Sequence, residues 1–156
     1  MSILMIGIVS VVSATTRMHG LRKHNRERTV ALNGLRSIAE RVHARSFELS
    51  RKDPRTWAAG LLDAYGPGGQ PGDRFDVVGI NVDRDENAVG TITFVVDETA
   101  ADADLGVQAG MPRDLNGDGD ADVSADARIL PAILRLRWTG QSGTQTLDHV
   151  IYLTQY

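Results

Sequence analysis

Residues 2–50 decide the fold of this chain, and they read SILMIGIVSVVSATTRMHGLRKHNRERTVALNGLRSIAERVHARSFELS. The segment from Ser2 to Thr16 carries no charge. In the second half, apolar and small residues recur at the three- and four-residue spacing of an amphipathic helix, namely Leu35, Ile38, Ala39, Val42, Ser46 and Leu49. No proline precedes Pro54, so the pattern predicts one continuous helix from the start to about Ser50, roughly 75 Å long.

The uncharged segment is short for a membrane span. As a helix it would extend about 22 Å, against a hydrocarbon core of about 30 Å. A signal peptide cleaved near Ala14 is the alternative interpretation, since the apolar run has the length of such a segment. Two features oppose it: no basic residue precedes the apolar run, and the helical pattern continues beyond the cleavage position.

The run from Ser2 to Val42 resembles the N-terminal helix of type IV pilins and type II secretion pseudopilins, with a glycine partway along at Gly7. The resemblance implies an α+β fold in which residues 1–16 are the transmembrane or filament-core part of the helix. Residues 17–52 would form its amphipathic half, and residues 53–156 a globular sheet domain. The cleavage-site glycine and the following glutamate of that family are missing, so we expect that the chain is truncated by about seven mostly apolar residues, which would restore membrane length.

The same resemblance implies a structural role as a minor pilin or pseudopilin, with no catalysis. It places the protein in the inner membrane by a single pass, with the globular domain in the periplasm, before assembly with other subunits through the N-terminal helix. The alternative function is a membrane-anchored extracytoplasmic module for calcium-dependent adhesion or scaffolding. Five basic residues after the apolar run oppose this orientation under the positive-inside rule: Arg17, Arg22, Lys23, Arg26 and Arg28.

The rest of the chain predicts a short helix and a sheet. Asp53 followed by Pro54 is typical of a helix start, and that helix is expected to end near Gly66. Four segments have strand character, at residues 74–82, 91–97, 132–138 and 146–156. They predict an antiparallel sheet of four strands with one face covered by the amphipathic helix. Residues 98–127 follow neither a helical nor a strand period, which favours a long functional or disordered loop.

This loop contains the sequence DLNGDGDAD at residues 114–122, which predicts a calcium site. Oxygen ligands stand at alternate positions, and Gly119 occupies the sixth place, where a calcium loop turns sharply. The pattern is similar to thrombospondin type 3 and dockerin repeats, although Ala125 stands at the twelfth place and an acid follows one position later. The candidate ligands are Asp114, Asn116, Asp118, Asp120, Asp122 and Asp126. The alternative is a solvated acidic loop.

Composition narrows the function further. There is no cysteine, which excludes a disulfide scaffold and thiolate chemistry. The formal net charge of -3 indicates neither a strongly basic nucleic-acid binder nor a disordered acidic tail. The basic cluster at residues 17–28 could contact DNA phosphates or lipid headgroups, but aromatic residues for base stacking are not interleaved, so nucleic acid is not an expected partner. The four histidines form no recognisable catalytic or zinc-binding spacing, so we expect neither an enzyme nor a small-molecule substrate.

Overall fold

The computed structural model describes residues 2–80, 88–123, 126–140 and 143–156, and for residues 2–14 and 16 it describes the helical backbone without the side chains. The first helix, α1, runs without interruption from Ser2 to Lys52 and confirms the long N-terminal helix. Its buried side chains follow the predicted spacing and are Ala31, Leu35, Ile38, Ala39, Val42, Ser46 and Ser50. In the part of the chain that the structure describes, no helix is both long enough and apolar enough to cross a membrane.

A tight corner after α1 brings a second helix back against it. The carboxylate of Asp53 accepts hydrogen bonds from the backbone N–H of Arg55 at 3.1 Å and from the Thr56 hydroxyl at 3.0 Å. Asp53 therefore caps a short 3-10 helix, Pro54–Thr56, which leads directly into α2, Trp57–Tyr65. The indole N–H of Trp57 donates to the carbonyl and hydroxyl oxygens of Ser46, which fixes α2 on α1.

The four strands form one antiparallel sheet, as predicted, and they lie in it in sequence order. Their bounds are β1 Arg74–Phe75, β2 Gly90–Phe94, β3 Ile129–Gly140 and β4 Gly143–Thr154. β1 is much shorter than the strand expected at residues 74–82: residues 76–80 are not part of it, and residues 81–82 lie outside the described residues. The third and fourth strands are longer than predicted and pair along their whole length, from Ile129 opposite Thr154 to Gly140 opposite Gly143.

The two faces of the sheet are covered differently. α1 packs on the inner face, where Leu130, Ala132, Leu134, Leu136 and Trp138 alternate as buried residues along β3. Part of the other, outer face is covered by the described residues of 97–127, here called the covering segment, since Gly106 lies near Arg135 and Gly110 near Tyr152. Its Ala109, Met111 and Leu115 belong to the same core. The α+β architecture is confirmed, and the described residues of the long loop form a layer of the domain.

The covering segment owes its shape to Asp102. One of its carboxylate oxygens accepts hydrogen bonds from the backbone N–H groups of Ala109 and Met111, both at 2.9 Å, and the other accepts from Gly110 at 3.2 Å. Asp102 also begins the one-turn helix α3, Asp102–Leu105. One side chain thus closes a loop of nine residues, which explains how a segment without periodicity becomes ordered.

Candidate metal centre

A buried glutamate, Glu98, lies beside the acidic loop of residues 114–122. Glu98 is only 1% exposed, and its Oε1 accepts a hydrogen bond from the backbone N–H of Leu115 at 2.7 Å. Its backbone N–H donates to the carbonyl of Asp122 at 2.9 Å, next to an isolated antiparallel bridge between Asp97 and Val123. Glu98 is therefore held by two separate parts of the loop at once.

The second carboxylate oxygen of Glu98 has no partner among the residues that the structure describes. Glu98 Oε2 is fully buried and accepts no hydrogen bond there. A buried charged oxygen without a partner costs free energy, because water no longer solvates it and no donor replaces the water. This oxygen is the strongest indication that the site takes a cation.

Two aspartates of the loop complete a cluster with Glu98. Each of Glu98, Asp120 and Asp122 offers one oxygen, and the three oxygens lie within 4.8 Å of one another. Two ligands of one calcium ion, each about 2.4 Å from it, can be at most about 4.8 Å apart. These three acidic residues could therefore hold a metal ion in common.

The carboxylates on the exposed side of the cluster repel one another. The pKa of Asp120 is raised, chiefly by the negative charge of Asp118, with smaller contributions from loss of solvation, Asp122 and Glu98. The pKa of Asp118 is lowered, chiefly because its carboxylate accepts a hydrogen bond from the backbone N–H of Asp120 and a second from the Asn116 amide. A cation would relieve the repulsion that falls on Asp120.

The first half of the predicted calcium motif shapes the turn. Asp114 accepts hydrogen bonds from the backbone N–H groups of Gly117, at 2.5 Å, and Gly119, at 3.1 Å. Gly119 has φ of 90°, in the left-handed region that favours glycine, as the motif requires at that place. Both oxygens of Asp114 thus hold the backbone of the loop.

Asn116 connects the two ends of the motif. Its side-chain amide donates to Asp118 Oδ2 at 2.8 Å and to Asp126 Oδ1 at 3.2 Å, ten residues further along the chain. Its carbonyl oxygen accepts from the backbone N–H of Asp118 at 3.0 Å. The structure therefore divides the six predicted residues. Asp120 and Asp122 lie in the acidic cluster, whereas Asp114, Asn116, Asp118 and Asp126 bond to one another and to the turn.

We compared the chain with family models, with curated proteins and with solved structures. None of them matches.

Glu98 was not among the predicted ligands, since it lies 22 residues before Asp120 and outside the motif. The available signal was its position: it follows the apolar run TITFVV and Asp97, where a charged residue close to a strand can be drawn into the core. The site is assembled from two distant segments, so the spacing within residues 114–122 could not reveal its third carboxylate.

Proposed function

We propose that this protein is a subunit of a pilin-like filament, of a type IV pilus or a type II secretion system, and that it assembles through α1. One observation carries the proposal: α1 continues far beyond the residues that pack on the sheet. The first buried side chain described on the helix is Ala31, so residues 2–30 precede it, about 43 Å of helix. The uncharged segment before Arg17 would pack against the equivalent helices of neighbouring subunits.

Residues 17–28 follow the uncharged segment along α1 and support the proposal. They form a solvent-facing basic stretch, here called the collar. All five basic residues at 17–28 have exposed side chains, and Leu21 beside them is 63% exposed. In the proposed assembly pathway, the uncharged segment first lies in the inner membrane and the sheet domain lies in the periplasm. The helix then leaves the membrane and enters the filament, where the collar meets lipid headgroups or neighbouring subunits.

Charge insertion tests the assembly proposal in the cells that produce the protein. A lysine introduced by Ile8→Lys would place an unpaired charge among packed helices, which is costly without water. The matched control is Ala59→Lys, at an exposed position on α2. We expect Ala59→Lys to be recovered with sheared filaments like the wild type and Ile8→Lys to be absent from them. Equal recovery of both variants would contradict the proposal.

We also propose that the metal centre binds calcium. Its three clustered side chains supply only carboxylate oxygens, which hard cations prefer, and the neighbouring turn carries the glycine of a calcium loop. Calcium accepts six to eight ligands with flexible geometry, so backbone carbonyls and water can complete the site, whereas magnesium demands a near-ideal octahedron. The buried Glu98 Oε2 is the observation that favours this second function.

Calcium binding is tested by thermal unfolding of the full chain in chelator, in millimolar calcium and in millimolar magnesium. At a hundredfold excess over the dissociation constant, a ligand stabilises the folded state by about 2.7 kcal/mol. For a domain of this size we expect an increase in Tm of about 5–10 °C with calcium and a smaller one with magnesium. Equal Tm values in all three buffers would contradict calcium binding and would identify the loop as a solvated acidic loop.

The two functions are separable. A filament subunit whose loop binds calcium would fail assembly on Ile8→Lys and keep its calcium-dependent Tm. A calcium-dependent adhesion or scaffold module anchored by α1 would show the calcium shift and never appear in the sheared filament fraction. The alternative function is thus identified by the same two measurements.

A further inference from the structure

The outer face of the sheet also carries a cavity, beside β1, β2 and β3. The cavity has a volume of about 250 Å³ and is lined by Arg74, Ala88, Val89, Thr91, Arg135 and Arg137. Three of these six residues are arginines, and none of the described lining residues is acidic.

The sheet register explains why the arginines converge. Arg74 lies opposite Thr91, and Thr91 lies opposite Arg135, so the three residues form one row across β1, β2 and β3. Adjacent strands are about 4.8 Å apart, which places the two arginines about 10 Å apart with the threonine hydroxyl between them. Arg137 lies on the same face, two residues along β3, and its backbone N–H donates to the carbonyl of Val89 at 2.8 Å.

Arg135 is held in position by the edge strand. Its Nε donates to Asp148 Oδ1 at 2.7 Å, and its Nη2 donates to Asp148 Oδ2 at 3.2 Å. A guanidinium has five N–H donors, so these two hydrogen bonds leave three for another acceptor. Asp148 thus fixes the direction of the Arg135 guanidinium.

We propose that this cavity, which we name the arginine cleft, binds a phosphate or sulfate group. Such a group offers several oxygens to planar guanidinium donors, which bind it with more than one hydrogen bond each. It would lie over Thr91, whose hydroxyl donates, with Arg74 on one side and Arg135 and Arg137 on the other. The buried Val89 forms part of the floor and reduces solvent screening at the site.

The test is isothermal titration of the full chain with pyrophosphate and, separately, with a sulfated disaccharide, at low salt and in chelator so that the metal centre plays no part. The variants are Arg74→Gln and Arg137→Gln, both at exposed positions, and the matched control is Arg55→Gln, an exposed arginine on the 3-10 helix. We expect each cleft variant to weaken binding about tenfold, as for the loss of one charge-assisted contact, and the control to leave it unchanged.

The outcomes decide between specific and general attraction. Weakening confined to the cleft variants supports the arginine cleft, and the tighter of the two probes identifies whether phosphate or sulfate is preferred. No saturable binding of either probe to the wild type would overturn the proposal. Equal weakening by Arg55→Gln would overturn it too, since that result would reflect only the overall positive charge. If Arg137→Gln lowers the Tm, its binding result is set aside. The outcome then depends on Arg74→Gln alone, at a position on the two-residue strand β1.

Discussion

The carboxylate of Glu98 and the backbone N–H of Leu115 are joined by a hydrogen bond of 2.7 Å, and both residues are buried. The carbonyl of Leu115 in turn accepts hydrogen bonds from the backbone N–H groups of Arg128 and Ile129, at 2.8 and 3.0 Å. Glu98 thereby connects the acidic loop to the first residue of β3. A cation on the other oxygen of Glu98 would act on the same chain of contacts.

The first prediction concerns Glu98→Gln. Glutamine keeps an oxygen for the Leu115 N–H and removes the negative charge beside Asp120 and Asp122. We therefore expect the Tm in chelator to be equal to or higher than that of the wild type, because an unpartnered buried charge is gone. The calcium-dependent rise in Tm should disappear. A Glu98→Gln protein that retains the full calcium shift would exclude Glu98 as a ligand.

The second prediction concerns the exposed ligands. Asp122→Asn should weaken calcium binding by about tenfold or more, because it removes one of three clustered charges. Asp104→Asn is the matched control, since it lies on α3 and is not part of the cluster. Isothermal titration with calcium measures both affinities. The same loss in both variants would mean that calcium responds only to the net charge of the loop.

The third prediction concerns Asp102→Ala, which is not a neutral change although Asp102 lies outside the calcium motif. It removes the acceptor of three backbone N–H groups, two of which belong to the buried residues Ala109 and Met111. We expect a loss of about 1–3 kcal/mol in the free energy of unfolding, with or without calcium. Urea unfolding measures it, with Asp104→Ala as the control. A loss below about 0.5 kcal/mol, the range of ordinary surface changes, would refute this role.

The fourth prediction concerns the contact of Gly90 with Phe75, which lie opposite each other on β2 and β1. A Cβ atom on Gly90 would lie 2.2 Å from two atoms of the Phe75 ring. Gly90→Ala should therefore cost about 1–3 kcal/mol of stability by overpacking. The smaller side chain in the double variant with Phe75→Leu should restore part of that loss in urea unfolding. Additive losses in the double variant would show that the two residues do not interfere.

The last prediction concerns the corner between α1 and α2. Trp57→Phe removes an indole N–H that donates to both oxygens of Ser46 in a buried setting. We expect it to cost about 1–3 kcal/mol, since the acceptors lose their donor. A double-mutant cycle with Ser46→Ala isolates the side-chain hydrogen bond of 2.9 Å. A coupling energy near zero would assign the stability of this corner to packing alone.

Much of the architecture follows from the order of residues. The uninterrupted helix is determined locally, because apolar residues at three- and four-residue spacing with no proline before Pro54 leave few competing structures. The Asp53 cap is local too, because its carboxylate bonds residues only two and three positions further along. β3 and β4 are likewise neighbours in the chain, with Gly140 opposite Gly143. The strand expected at residues 74–82 ends at Phe75, because strand pairing is decided by what lies beside it and not by propensity alone.

The motif at residues 114–122 could also be read locally, since Gly119 adopts the left-handed conformation and Asp114 closes the turn. The sequence could not predict the third carboxylate of the metal centre. Nor could it predict that the arginines of the arginine cleft lie close together. Glu98 meets Asp120 and Asp122 only because a backbone hydrogen bond and a single bridge bring residues 97–98 beside 122–123. Arg74 approaches Arg135 only through the register of three strands.

The sequence alone determined periodic elements and short turns, because their stabilising contacts lie within a few residues. The tertiary structure decided the sites, because packing the chain into one core brought distant charges together.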